Sequence, residues 1–226
     1  MIQHCRVREK VPVTIENIKS NHRRRRKEIR AKLRQFRDVW REGRDERLWE
    51  DMAYCFFTGG CSAKMGLRSI EAVRHILEDG GFSELSSALS GVHRFPFARS
   101  RYIVASRDFL TASGIKKGLK QHLTNLKDPI DRRDWLVKEK RIKGLGYKEA
   151  SHYLRNIGLS GYGILDKHIL HCLVELEVID DPKPPSTRTR YLETEEKLRD
   201  FAKRVEIDFD ELDLVLWSMK TGEILK

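Results

Sequence analysis

The sequence is poor in cysteine and contains no long apolar run. No stretch of its 226 residues is apolar for long enough to cross a membrane, and the first residues, MIQHCRVREKVPVT, lack the apolar core of a secretory signal. The four cysteines form no C-x-x-C pair and are too scattered for a zinc ribbon or an iron–sulfur loop. We therefore expect buried or free thiols in a reducing cytoplasm and no metal site.

Alternation between polar and apolar residues is also absent over any useful length, as are internal repeats, and the expected class is all-α. Apolar residues recur instead at helical spacing from Thr14 onward. Thr14, Ser62 and Asp128 stand where helices are expected to start, and Gly43 stands where one is expected to end. The predicted helices are 14–42, 45–58, 63–78, 83–89, 97–112, 115–126, 128–141, 147–156, 167–178, 193–205 and 208–220.

Positive charge is in excess over the whole chain. There are 45 lysines and arginines against 34 acidic residues, which gives a net charge of +11. A nucleic acid is therefore the favoured partner, although a protein with a basic surface and another role has the same composition. Residues 23–27, RRRRK, lie inside the first predicted helix. We interpret this run as a solvated helix face, with phosphate contact as the alternative.

The most informative stretch is 142–168, IKGLGYKEASHYLRNIGLSGYGILDKH, which contains the sequence form of a helix-hairpin-helix. In its turn, Gly144 and Gly146 permit backbone conformations that a side chain would forbid. They also leave bare amides at the N-terminus of the next helix, where an anion binds. We predict that Gly144, Gly146 and Lys143 contact a DNA phosphate, helped by a basic flank. The alternative is an ordinary corner between core helices.

Two side chains of this stretch can act together. Lys148 stands in the first turn of the second hairpin helix, where the helix dipole favours the neutral amine that nucleophilic attack and Schiff-base formation require. A second glycine-rich turn, 158–163, leads to Asp166, whose carboxylate could stabilise positive charge on a sugar ring. In the alternative interpretation Lys148 is a surface lysine and Asp166 only caps the following helix.

At these residues the chain resembles the helix-hairpin-helix DNA glycosylase superfamily, and most of all the archaeal-type 8-oxoguanine DNA glycosylase/AP lyases. The similarity is carried by 143–158 and 164–168, and also by 55–58 with 62–63, by 94–107 and by 217–226. The resemblance implies that Lys148 is the Schiff-base nucleophile and Asp166 the catalytic carboxylate. It further implies that Lys226 helps to distinguish 8-oxoguanine from guanine and that Trp217 packs on the extruded base. By its spacing alone, Trp217 would be a core residue of the last helix.

The resemblance implies a bifunctional repair enzyme for double-stranded DNA containing 8-oxoguanine or an abasic site, working without a cofactor. We expect a cytoplasmic monomer, associated with the nucleoid in a prokaryote. The expected architecture is one helix-hairpin-helix glycosylase domain, 1–226, with two helical subdomains flanking a cleft. One subdomain is expected to combine 14–60 with 165–226, and the other to comprise 61–164, which carries the hairpin.

Three other functions are compatible with the sequence. A glycosylase for a different damaged base could use the same lysine chemistry. A non-catalytic helix-hairpin-helix protein would bind DNA and leave it intact. A basic all-α scaffold could bind RNA or protein, although RNA readers usually offer aromatic platforms or sheets.

Overall fold

The computed structural model describes residues 12–225, and every regular element in this range is helical. The prediction of an all-α fold is therefore confirmed. None of the helices in the described range has the length and apolarity needed to span a bilayer. The α-helices are α1 (Ile15–Glu42), α2 (Asp45–Thr58), α3 (Ala63–Val73), α4 (Phe82–Leu89), α5 (Pro96–Ala112), α6 (Leu119–Asn125), α7 (Pro129–Lys138), α8 (Tyr147–Asn156), α9 (Lys167–Glu175), α10 (Arg188–Val205) and α11 (Phe209–Thr221).

Several helix ends lie where the sequence predicted them. Thr14 Oγ1, Ser62 Oγ and Asp128 Oδ1 each accept a hydrogen bond from a backbone N–H two or three residues later, at 3.2, 3.2 and 2.6 Å. Gly43 follows α1 with φ of +67°, a conformation that suits glycine. These ends are predictable because each depends on one side chain and its immediate neighbours.

Other predicted ends are wrong. Helix α10 begins at Arg188, five residues earlier than expected, and its first turn is capped by Thr187 Oγ1. Helix α7 ends at Lys138 and does not continue to Arg141. There the Glu139 carboxylate accepts the backbone N–H of Arg141 at 3.1 Å, a local contact that competes with helix continuation.

The larger of two compact units comprises Ala31–Ile164 and is built around α2. Helix α2 is buried along most of its length and packs against α3, α5, α6 and α8. Its segment 51–58, DMAYCFFT, is entirely buried, because neighbouring helices cover it on all sides. This helix therefore forms the centre against which the hairpin helix α8 is positioned.

Gly158 determines how closely the end of α8 approaches α1 within this unit. Its φ is +94°, and a Cβ atom there would lie 2.5 Å from the carbonyl oxygen of Phe36 and 2.7 Å from Cα of Arg37. Both are backbone atoms, so the neighbouring helix could not yield to a side chain. Arg155, in the last turn of α8, places its guanidinium 5.3 Å from the centroid of the Phe36 ring. The C-terminal end of α8 is thus packed closely against α1.

The second compact unit combines residues 12–30 with Leu165–Ile224. Within it α1 binds α11, since Asn21 Nδ2 donates to Ser218 Oγ at 2.9 Å and the Glu211 carboxylate accepts from Arg30 Nε at 2.5 Å. The change from one unit to the other falls inside α1, after Arg30. The sequence predicts this change near residue 60 and groups α2 with the C-terminal helices. The structure groups α2 with α3 and α8, because its buried surface faces them.

Burial of histidines predicts a loss of stability in mild acid. Burial lowers the pKa of His93, His122 and His168 below the usual value. The unfolded chain therefore binds protons at higher pH than the folded chain, and stability falls as the pH drops below about 6.5. We expect a lower melting temperature at pH 5.5 than at pH 7.5. In His122→Phe, which keeps a ring beside Trp135, the difference is expected to shrink. Equal melting temperatures of the wild type at both pH values would contradict this.

Candidate active site

The predicted hairpin is present as α7, a turn over residues 139–146, and α8. Ile142 and Leu145 are buried in the core of the larger unit and anchor the turn. The backbone N–H of Lys143 donates to Ser106 Oγ on α5 at 2.9 Å. Gly144 has φ of +80°, in the left-handed region that favours glycine. The turn is thus fixed by two apolar anchors, one hydrogen bond and one glycine.

The N-terminal end of α8 presents backbone N–H groups that are free to donate. Within the described residues, the backbone N–H groups of Gly144, Leu145 and Gly146 donate no hydrogen bond. Gly146 is the N-cap of α8 and has no side chain that could occupy the site. Lys143 is exposed beside them. Amides and a helix N-terminus oriented in this way suit a phosphate oxygen.

Gly144→Ala is expected to distort the turn and to weaken DNA binding. A Cβ atom would meet Cδ2 of the Tyr102 ring at 2.5 Å, in addition to the strain of a positive φ. Gly114→Ala is the matched control, because Gly114 has φ of +73° and open space around it. We expect the control to lose about 1 kcal/mol of unfolding free energy and Gly144→Ala clearly more. Denaturant melts and duplex binding measure both effects, and equal losses would contradict the role of Tyr102.

Some of the basic residues beside the turn are ion-paired, and others are not. Lys138 and Arg141 are each paired with a nearby carboxylate, Arg141 with Glu139 at 2.7 and 2.8 Å. The hydrogen bond from Arg141 lowers the pKa of Glu139 to about 2. Lys140 and Lys143 form no salt bridge to any residue in the described range. The free positive charge of the turn therefore comes from these two lysines.

Glu149 is a site residue that the sequence interpretation missed. Its Oε1 lies 3.1 Å from Nζ of Lys148, and the two side chains are 17% and 25% exposed. Its Oε2 lies close to Gly146, at the N-terminus of α8. A carboxylate at this distance can hold the amine in place and accept its proton. The sequence contains a signal for this contact, because a glutamate three residues after an N-cap often folds back over the N-terminus of its helix.

Glu149→Gln is expected to slow covalent trapping of abasic DNA by about tenfold or more, because the amine loses a carboxylate within proton-transfer distance. The side chain keeps its size, so DNA binding should change little. The matched control is Glu78→Gln, which removes an exposed carboxylate paired with Lys116 in the same unit. The measurement is the single-turnover trapping rate under borohydride. Identical rates for the two variants would remove Glu149 from the chemistry.

Asp166 caps α9, as the second sequence interpretation expected. Its Oδ1 accepts hydrogen bonds from the backbone N–H groups of His168 and Ile169 at 2.8 and 2.9 Å. The cap uses one carboxylate oxygen and leaves Oδ2 out of these two contacts. Capping and a catalytic role are therefore compatible at this residue.

Trp217 lies on α11, which packs against α9 in the smaller unit. The side chain is partly exposed, whereas residues 211–216 and Ser218 are buried. Trp217 thus differs in burial from the core residues around it.

The structure brings four predicted site residues together at one end of α8: Lys143, Gly144, Gly146 and Lys148. Asp166 and Trp217 belong to the other compact unit. The pairing of Lys148 with Asp166 therefore stays a prediction. Lys226 lies outside the described residues.

An exposed aromatic patch lies in the same unit as the hairpin, at the starts of α4 and α5. Phe95 and Phe97 are 39% and 60% exposed, and Phe82 lies 6.4 Å from Phe97 between ring centroids. Arg94 places its guanidinium 5.0 Å from the centroid of the Phe95 ring, and Arg101 lies similarly over Phe82. Phe95 and Phe97 therefore both lie at the surface of this unit. Exposed rings next to arginines suit stacking on nucleic-acid bases.

Comparison with known proteins agrees with this geometry. Residues 29–207 match the protein family described as 8-oxoguanine DNA glycosylase. A protein of Korarchaeum cryptofilum named 8-oxoguanine DNA glycosylase/AP lyase is 38% identical over 198 residues, 85% of this chain and 89% of its own. One of the same name from Fusobacterium nucleatum is 36% identical over 201 residues, 88% of this chain and 91% of its own.

A similar crystal structure is that of the Methanocaldococcus jannaschii 8-oxoguanine glycosylase/lyase in complex with a 15mer DNA containing 8-oxoguanine. The TM-score is 0.85 at 31% sequence identity, and the match covers 94% of this chain and 99% of that one. The helical fold, the hairpin and the length of the match all agree. This chain belongs to the 8-oxoguanine DNA glycosylase family.

Proposed function

We propose that this protein is a bifunctional DNA repair enzyme that releases 8-oxoguanine from double-stranded DNA and then cuts the strand at the abasic site. The observation that carries the proposal is the position of Lys148, half-buried in the first turn of the hairpin helix, beside bare amides that suit a phosphate. Membership of the family supports 8-oxoguanine as the damaged base. The position of Lys148 supports a reaction through a lysine nucleophile. The protein acts as a monomer in the cytoplasm, on the DNA of the nucleoid.

Binding precedes chemistry. A base inside a duplex is out of reach of any side chain, so the damaged nucleotide is first turned out of the stack, at a cost of a few kcal/mol. The amides of Gly144 and Gly146 hold a backbone phosphate, and Lys143 adds charge. The aromatic patch offers rings that can stack on the bases left behind.

The reaction then proceeds on the sugar. Nζ of Lys148 attacks C1′ as the bond from C1′ to the base breaks, and the electron pair of that bond leaves with the base. Asp166 stabilises the positive charge that develops on the ring. Glu149 lies within reach to accept the proton of the amine. The nitrogen lone pair then breaks the C1′–O4′ bond, which opens the sugar to an imine as O4′ takes up a proton. The imine acidifies the C2′ proton, whose loss expels the 3′ phosphate by β-elimination.

Selection of the base requires a contact that guanine cannot make. 8-Oxoguanine carries a hydrogen on N7 and an oxygen on C8, so an acceptor near N7 favours the oxidised base. We assign this role to a main-chain oxygen of Lys226, because a lysine side chain only donates, and the stacking role to Trp217, a partly exposed residue. A ring that packs on the extruded base positions it without discriminating, and the acceptor discriminates.

The test is a panel of duplexes that differ at one position: 8-oxoguanine opposite cytosine, guanine opposite cytosine, a plain abasic site, and an oxidised pyrimidine. We expect base release and strand cutting on the first, cutting alone on the abasic site, and no reaction on guanine. Faster release of the oxidised pyrimidine would favour a glycosylase for another lesion. Tight binding with every strand intact would favour a non-catalytic DNA-binding protein.

A further inference from the structure

Helix α1 carries a row of exposed basic side chains that the proposed active site does not use. Residues three or four apart lie on the same face of a helix, so these side chains share one face. From the first to the last, the row is about 21 Å long at 1.5 Å per residue. The α1 basic row consists of Arg23, Arg26, Lys27, Arg30, Arg34 and Arg37, all of which are exposed.

Most of the row has no partner within the protein. In the described part of the chain, Arg23, Arg26, Lys27, Arg34 and Arg37 form no side-chain hydrogen bond and no ion pair. The remaining member binds a carboxylate on α11 and is still 47% exposed. Like charges at this spacing repel each other and destabilise a helix, and a partner of opposite charge would remove that cost.

Two other arginines of α1, Arg24 and Arg25, make hydrogen bonds within the protein and so have a structural role. Arg24 Nη2 donates to Asn21 Oδ1 at 2.9 Å. Arg25 binds both oxygens of Glu28 at 3.0 Å and donates to the carbonyl oxygen of Gly222 at 3.2 Å. The run over residues 23–27 therefore divides into members with internal contacts and members that point away. The internal contacts give Arg24 and Arg25 a structural role. They give no such role to Arg23, Arg26 and Lys27.

We propose that the α1 basic row binds the sugar-phosphate backbone of duplex DNA away from the lesion. A length of about 21 Å matches the rise of about six base pairs at 3.4 Å each. Guanidinium groups pair with phosphate oxygens through two parallel hydrogen bonds, and five of the six members are arginines. The row supplies affinity that is independent of sequence and retains the enzyme on undamaged DNA. This inference rests on the proposed function only in taking DNA as the partner.

The experiment compares two quadruple variants that each remove four positive charges. The first replaces Arg23, Arg26, Arg34 and Arg37 with glutamine. The control replaces four scattered exposed residues, Arg68, Lys117, Lys127 and Lys197, with glutamine. Affinity for an undamaged duplex is measured over a series of salt concentrations. Single-turnover trapping on an abasic duplex at saturating enzyme is measured in parallel, and thermal melts establish that both variants fold.

In the row variant we expect the slope of log affinity against log salt to become shallower by about three to four, since each phosphate that is no longer neutralised changes the slope by about 0.9. The control should change the slope by less than the amount for a single phosphate, and trapping at saturation should match the wild type in both variants. Equal slope changes in the two variants would attribute the effect to net charge and overturn the proposal, as would an unchanged slope in the row variant. Failure of the wild type to trap an abasic site would overturn the proposed function and leave the slopes to decide about the row.

Discussion

Lys148→Gln is expected to abolish covalent trapping and to slow release of 8-oxoguanine by at least about 10³-fold, as loss of a nucleophile generally does. Glutamine retains much of the side-chain length and polarity but has no basic amine to attack C1′. The hairpin amides and Lys143 are unaffected, so affinity for the damaged duplex should stay within a few-fold of the wild type. The measurements are single-turnover base release, adduct formation under borohydride, and equilibrium binding.

Lys140→Gln is the matched control, since it makes the same substitution on an exposed lysine of the hairpin turn that forms no salt bridge in the described structure. It is expected to trap abasic DNA at nearly the wild-type rate once the enzyme is saturating. If Lys148→Gln released 8-oxoguanine at the wild-type rate, another group would have to be the nucleophile.

Asp166→Asn is expected to slow base release by about 10² to 10³-fold while leaving the fold intact, the range typical for loss of a group that stabilises developing charge. Oδ1 of an asparagine can still accept the hydrogen bonds from His168 and Ile169, so the cap of α9 persists. The negative charge is lost, and with it the stabilisation of a cationic sugar. This substitution therefore separates the two roles that the sequence left open.

Asp166→Ala provides the comparison, because it removes both the charge and the cap. Loss of an N-cap typically costs about 1 kcal/mol, so its melting temperature should fall while that of Asp166→Asn stays close to the wild type. Both variants should release the base slowly. A fully active Asp166→Asn protein would assign Asp166 to capping alone.

The features that the sequence predicted well are those controlled by neighbouring residues. The caps at Thr14, Ser62 and Asp166 and the turn at Gly144 each depend on a few consecutive side chains. The helical period and the glycines therefore predicted the fold class and the hairpin without any knowledge of packing. Family resemblance then supplied the chemistry that spacing alone left open at Lys148.

The features that the sequence missed depend on contacts between distant segments. The grouping of α2 with α8 follows from a core assembled by several helices, and no local pattern records it. The contact of Gly158 with the backbone of α1 joins residues more than a hundred positions apart. The division of residues 23–27 into paired and unpaired arginines likewise required the positions of Glu28 and Gly222.

The most direct test of the central claim is to find which residue carries the DNA after borohydride trapping. Trypsin cuts after Lys143, Lys148 and Arg155 in the free protein, but it cannot cut after an alkylated lysine. Trapping on 8-oxoguanine DNA, digestion and mass spectrometry should therefore yield the DNA remnant on one peptide, GLGYKEASHYLR, with the modification on Lys148. A remnant on a different lysine or on the N-terminal amine would contradict the assignment of Lys148 as the nucleophile.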